Sequence, residues 1–262
     1  MRLGSGVLAL AVVLGACGGA HADLGMTLST EASVGETVTV SVTATNSGDE
    51  AAHALVPELR LQSTIRRGDA VTNLDVGART TWQLSLPPPS TPGTFPLTVR
   101  LSYADGRGRP SAADQVRVIG TPGTMVAPVT GTLLVEPTAA HGTATLTLTN
   151  PTLAPVAGRV VPVLPARFTT EPDSIPAQIP AQGDTVVTFV VENSDVPPGS
   201  NFPLYALFEY DQRGIHHTVL AETALRVVAP VPAGSVPPLV VGGLALAVAL
   251  GLLGVAWRRA AR

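Results

Sequence analysis

Thr37-Val38-Thr39-Val40-Ser41-Val42-Thr43-Ala44-Thr45 alternates apolar and hydroxyl side chains without a break, and the pattern returns as Thr143-Ala144-Thr145-Leu146-Thr147-Leu148-Thr149. Strand side chains point to opposite faces in turn, so each run reads as a strand with one buried face. Val38, Val40, Val42 and Ala44 form that face in the first run, and Ala144, Leu146 and Leu148 in the second. Each run ends in a turn signal, Asn46-Ser47-Gly48 or Asn150-Pro151. Further matches keep nearly the same offset: Val56-Pro57 with Val161-Pro162, Gly77 with Gly183, Pro92-Gly93 with Pro198-Gly199, Phe95-Pro96-Leu97 with Phe202-Pro203-Leu204, and Tyr103 with Tyr210. The final strands, Val116-Arg117-Val118-Ile119 and Leu225-Arg226-Val227-Val228, also correspond. From 23 to 229 the chain shows short alternating segments broken by Gly, Pro, Asn and Asp, with no amphipathic helical stripe. Two copies of about 95 to 100 residues are each the size of one β-sandwich.

The two ends set the expected topology. Leu239 to Trp257 is an uninterrupted apolar run followed by Arg258, Arg259 and Arg262. At about 1.5 Å per residue such a helix just crosses a bilayer core of roughly 30 Å, and the arginines mark the cytoplasmic end. Arg2 and the apolar stretch from Val7 to Leu14 read as a signal segment. Two processing sites compete. Ala20-His21-Ala22 places a signal-peptidase site after Ala22, whereas Leu14-Gly15-Ala16-Cys17 resembles a lipobox in which Cys17 would be lipidated. No Leu-Pro-x-Thr-Gly motif precedes Leu239, so the helix is expected to be retained rather than cut as a sorting signal.

The expected architecture is therefore all-β: two tandem Ig-like β-sandwiches followed by a single C-terminal transmembrane helix. The expected boundaries are a signal peptide at 1–22, sandwiches at 23–120 and 130–229, and a linker at 121–129. A proline-rich stalk at 230–238, the helix at 239–257 and a cytoplasmic tail at 258–262 complete the chain. Proline fixes φ and keeps such a stalk extended. The expected location is the cytoplasmic membrane, single-pass type I, with the β-rich part extracytoplasmic.

Composition removes several chemistries. All 16 basic residues are arginine, so no lysine exists for a Schiff base or a phosphate-binding loop. Cys17, the only cysteine, lies in the signal region, so the exported part has no disulfide, thiol nucleophile or thiolate metal site. Without Arg2 and the three tail arginines, 12 Arg stand against 19 acids, a formal charge of −7 that disfavours nucleic acid. No motif for a serine nucleophile, zinc, nucleotide or dinucleotide is present, so no enzyme, cofactor or metal site is expected. His216-His217 is the one histidine pair; adjacent strand residues point apart, so an exposed hairpin strand is the reading over a metal site. Asp105-Gly106 and Asp211-Gln212-Arg213-Gly214 read as hairpin tips, and Arg67-Gly68-Asp69 as a chance integrin-type tripeptide.

Gly35-Glu36-Thr37-Val38-Thr39-Val40 running into Thr45-Asn46-Ser47-Gly48 resembles the CARDB and NPCBM-associated Ig-like modules of bacterial surface proteins. The second copy resembles them through Phe168-Thr169-Thr170-Glu171-Pro172 and through Ile179-Pro180-Ala181-Gln182-Gly183-Asp184-Thr185, followed by Pro198-Gly199; alanine and glutamine stand where proline is usual. The resemblance implies an adhesion, spacer or accessory-binding role outside the cell. The partners expected are the membrane and another envelope protein. An accessory glycan- or cell-wall-binding module is the alternative, disfavoured because aromatics make up 4% of the chain and Trp82 is the only tryptophan outside the apolar helix.

The copies differ at one strand. Leu97, Val99, Leu101 and Tyr103 alternate with polar Thr98, Arg100 and Ser102, but Leu204, Ala206, Phe208 and Tyr210 alternate with Tyr205, Leu207 and Glu209. The face made by Tyr205 and Leu207 is covered either by the linker, a loop or the neighbouring module, or by a binding partner.

Overall fold

The computed structural model describes residues 25–124 and 126–230. The signal segment with Cys17 and Ala22, the stalk beyond residue 230, the apolar helix at 239–257 and the tail at 258–262 lie outside the described residues. Among those described, every regular element is a strand, and no helix is long and apolar enough to cross a membrane.

In the first half, β1 (Met26–Val34), β2 (Val38–Asn46) and β6 (Arg79–Leu86) form an antiparallel sheet in the order β1-β2-β6. Facing it are β3 (Ala52–Leu61), β4 (Thr64–Arg67), β7 (Thr94–Ala104) and β8 (Pro110–Gly120), ordered β4-β3-β7-β8, with β5 (Val71–Leu74) also paired to β3. The second half repeats the plan. β9 (Thr130–Val135), β10 (His141–Asn150), β12 (Phe168–Thr169) and β14 (Gly183–Asn193) give the order β12-β14-β10-β9. β11 (Val156–Val163), β13 (Ile175–Ile179), β15 (Asn201–Gln212) and β16 (Ile215–Arg226) give β13-β11-β15-β16. Both halves cross between sheets after their second strand and around the strand paired with it (β6, β14), as in Ig-like sandwiches, but the second half also sends β12 across to pair with β14, where β4 and β5 stay beside β3.

Each half closes on its own apolar core. Val38, Val40, Val42 and Ala44 from β2 meet Leu97, Val99 and Leu101 from β7, all fully buried. Ala144, Leu146 and Leu148 from β10 meet Leu204, Ala206 and Phe208 from β15 in the second core. Burying one such Val, Leu or Phe stabilises by about 1.5–3 kcal/mol, and no disulfide assists.

Asn46 and Asn150, which the sequence presents as turn residues, are fully buried clips. The Asn46 amide Nδ2 donates to the carbonyls of Glu50 (2.8 Å) and Leu74 (3.0 Å), and its Oδ1 accepts from the Gly48 N–H (3.1 Å). Asn150 donates to Ala154 (2.8 Å) and Pro180 (2.9 Å), and accepts from the Thr152 N–H (3.0 Å). Each asparagine thus ties the loop after its strand to the segment leading towards the opposite strand of the same sheet.

The pairing register corrects three of the sequence correspondences; in the last strands Phe95 lies opposite Ile119 and Phe202 opposite Leu225, so Ile119 rather than Val116 is equivalent to Leu225. β2 sets Ala44 opposite Thr80 and β10 sets Leu148 opposite Thr185, so Gly77 is equivalent to Gln182 rather than Gly183. Both sit in the left-handed region, with φ of 74° and 50°. Glycine reaches that region without penalty, whereas glutamine occupies it at a cost its neighbours must offset. Pro57 lies opposite Leu101 and Val160 opposite Phe208, so the two Val-Pro dipeptides are two residues out of register.

Replacing Asn46 or Asn150 with alanine removes the donor to two carbonyls at the edge of the core. Each substitution is expected to lower the unfolding free energy by about 2–3 kcal/mol in urea titrations. Aspartate should not rescue either site at neutral pH, because a carboxylate cannot donate to the carbonyls.

Candidate functional site

The residues that could do chemistry are mostly engaged in holding turns. Among the described residues, no group of three or more His, Cys, Asp or Glu could hold a metal ion. The Asp105 carboxylate accepts from the N–H groups of Arg107 (2.9 Å) and Arg109 (2.8 Å) at the β7–β8 hairpin and pairs with the Arg109 side chain. These bonds, first that from the Arg109 backbone, hold it below the usual carboxylate range. In the Arg67-Gly68-Asp69 tripeptide, Arg67 is bound to Glu58 at 2.9 Å and the Asp69 carbonyl accepts from the Trp82 indole at 2.8 Å. Trp82 is 7% exposed and belongs to the first core, so it offers no platform to a sugar.

Side chains converge instead where the two sandwiches meet. The Thr218 N–H donates to Thr94 Oγ1 (2.9 Å), and Thr218 Oγ1 donates to the Thr94 carbonyl (2.8 Å); both bonds are buried. Two residues earlier, the His216 N–H donates to the Pro92 carbonyl (3.0 Å) and Gly93 forms a parallel bridge with His216. The approach is close enough that a Cβ on Gly93 would lie 2.3 Å from the His216 carbonyl oxygen. Thr121 holds the same loop, its N–H donating to the Gly93 carbonyl and its Oγ1 accepting from the Gly93 N–H, each at 2.9 Å.

His216 and His217 do point to opposite faces, but neither makes the exposed strand expected of them. The His216 ring stacks on Phe95 of the first sandwich, with centroids 4.7 Å apart and planes 12° from parallel. Its Nδ1 lies 2.9 Å from Asp211 and its Nε2 3.6 Å from Glu209. His217 is 7% exposed and stacks on Tyr210 at 4.9 Å.

Tyr205 and Leu207 are each 4% exposed and form a small cluster with Val116 of β8, edged by Val161, Val163 and Leu220. The first sandwich therefore covers this face, and an external partner would have to displace it to reach either residue. Burial, followed by the nearby Glu222 carboxylate, pushes the Tyr205 hydroxyl up to about 12.

Beside the cluster runs an open groove of about 1020 Å³ between the sandwiches. One wall carries Glu58 and Arg100, the middle of a charge ladder in which Arg67, Glu58, Arg100 and Asp114 stand opposite one another on β4, β3, β7 and β8. Arg100 is bidentate to Asp114, at 2.7 and 3.2 Å. Arg159 and Glu209, 3.2 Å apart, occupy the other wall. Phe95 is the one Phe, Tyr or Trp ring among the lining residues; it is 2% exposed and capped by His216, so no aromatic face opens to the groove.

Thr94, Thr218 and Gly93 escaped the sequence reading, since their meeting brings together residues 124 positions apart. The one available signal was the apolar Tyr205–Leu207 face, which required some cover.

Residues 21–105 match the CARDB family model. No curated protein matches the chain. Solved structures that align with it include red sea bream transglutaminase, at 15% identity and a TM-score of 0.27, covering 78% of this chain and 31% of that one. An E. coli alpha-2-macroglobulin aligns at 13% identity and a TM-score of 0.33, covering 78% of this chain and 17% of that one. The periplasmic chaperone SfaE aligns at 14% identity and a TM-score of 0.28, covering 79% and 100%. The chain thus spans less than a third of the first and less than a fifth of the second.

Gly93→Ala forces a Cβ into the His216 backbone. It is expected to abolish amide protection at His216 and Thr218 in hydrogen exchange while both cores keep theirs. Replacing Tyr205 and Leu207 together by serine leaves a polar-lined void at the joint and should cost about 3–5 kcal/mol, read as a drop in thermal stability.

Proposed function

We propose that this chain is a non-enzymatic, exported, membrane-anchored protein that displays two Ig-like modules as one rigid unit. Its role is protein–protein interaction, adhesion or structural spacing at the cell envelope. The carrying observation is the joint: paired Thr94–Thr218 hydrogen bonds, a bridge at Gly93 and a buried cluster around Tyr205 join the two sandwiches. Flexibly strung modules need none of these, whereas a spacer or display arm gains reach and orientation from them. The CARDB match over residues 21–105 supports a bacterial Ig-like module in the first half, and the repeated strand order supports a second of the same kind. Anchoring rests on the apolar run from Leu239 to Trp257 and the arginines after it. The partner in this reading is another envelope protein.

Protease added to intact cells or to cells stripped of their outer layers should remove the β-rich region and leave a short membrane-held fragment carrying residues 239–262. A β-rich region protected in both preparations would overturn the orientation. Proximity labelling should recover envelope proteins from the wild type and fewer from Gly93→Ala at equal membrane levels; identical recovery would show that rigid coupling is not used.

A further inference from the structure

The joint contains a titratable pair that the spacer role does not require. His216 and His217 are consecutive in β16, immediately before Thr218, whose backbone and hydroxyl make the buried bonds to Thr94. Their surroundings are opposite in character. His216 faces two carboxylates, Asp211 and Glu209 from β15, with Arg159 of β11 paired to Glu209 and the Phe95 ring of β7 covering its face. A charged imidazole there has an acceptor at Nδ1 and a second carboxylate 3.6 Å from Nε2. His217 lies in the second sandwich against the Tyr210 ring, which in turn stacks on Phe208, and its Nδ1 is buried without a hydrogen-bond partner. The charges that act on it are His216, which opposes protonation, and Asp211, which favours it.

We propose that the joint is an acid-sensitive coupling: protonation of His217 releases the start of β16 from the first sandwich and uncouples two modules that stay folded. The reason is geometric. A cation at His217 adds an Nδ1–H that has no acceptor where it is buried, and that proton reaches one if the strand segment 216–218 moves. That segment carries the Thr94 and Pro92 bonds. Burial first, and then His216, hold His217 below its ordinary value of 6.5. A base with a lowered folded-state value binds its proton more readily when released. The coupling it supports is therefore complete above about pH 6.5 and is lost as pH falls through the lowered folded value.

This inference rests on the rigid joint proposed above, and one experiment separates them. Hydrogen exchange is followed on the full-length protein at pH 7.5 and 5.0, corrected for intrinsic rates, in the 90–96 and 214–219 segments. Protection there should be lost on acidification once intrinsic rates are corrected for. Protection of β2 and β10 should be retained. His217→Phe keeps the ring but cannot charge, and should hold protection constant; His217→Gln serves if the phenylalanine variant does not accumulate. Equal protection at both pH values, or an undiminished fall in the uncharged variant, overturns the acid response and leaves the rigid joint standing. An unprotected joint at pH 7.5 overturns both.

Discussion

Everything in this molecule depends on sealing two sheets face to face with apolar side chains alone. The single cysteine stands at position 17, so no cross-link helps either sandwich. The unbroken alternation in β2 and β10 delivers that seal, because each valine or leucine of one sheet meets those of the other across the core. Such packing leaves a polar problem where loops dip to the edge of the core, since buried carbonyls need donors. Asn46 and Asn150 solve it in the same way in both halves, each donating to two carbonyls that no strand neighbour reaches.

The two cores are joined by a contact of another kind. β15 departs from alternation exactly where the first sandwich approaches, so that Tyr205 and Leu207 are buried against Val116 while Phe208 and Tyr210 fill the core behind them. Hydrogen bonds between Thr94 and Thr218 then fix the registration that an apolar contact leaves loose, because they are directional and their desolvated groups have no alternative partner. Around this dry patch the surface returns to charge. Glu58 and Arg100 of the Arg67–Glu58–Arg100–Asp114 ladder, with the Arg159–Glu209 pair, line the groove with partners already matched. Exposed ion pairs add little stability, but Asp114 is buried under Arg100 and keeps that wall ordered.

Placing the histidines in the joint gives the coupling its chemistry. One ring bridges the sandwiches with carboxylates at both nitrogens, and the next is shut into the second core. Their adjacency means that any movement relieving one displaces the hydrogen bonds of Thr218 beside it. A joint whose stiffness sits in so few bonds can be loosened locally without unfolding either sandwich.

The strands, their buried faces and the repeat were legible because period-two alternation is a local property, and each inward residue of β2 and β10 is buried as its position requires. The register was not: Gln182 stands where Gly77 does, since side-chain identity is a weaker constraint than the positive φ both adopt. Nor were the asparagine clips, because a turn residue and a buried donor look alike until the carbonyls of Leu74 and Pro180 are brought beside them. The sequence by itself determined an all-β chain with a repeated strand pattern and an unexplained apolar face at Tyr205 and Leu207. Only the tertiary structure decided that the first sandwich covers that face and that Thr94, Gly93 and His216 make the joint, because contacts between residues more than a hundred positions apart leave no periodic trace in the chain.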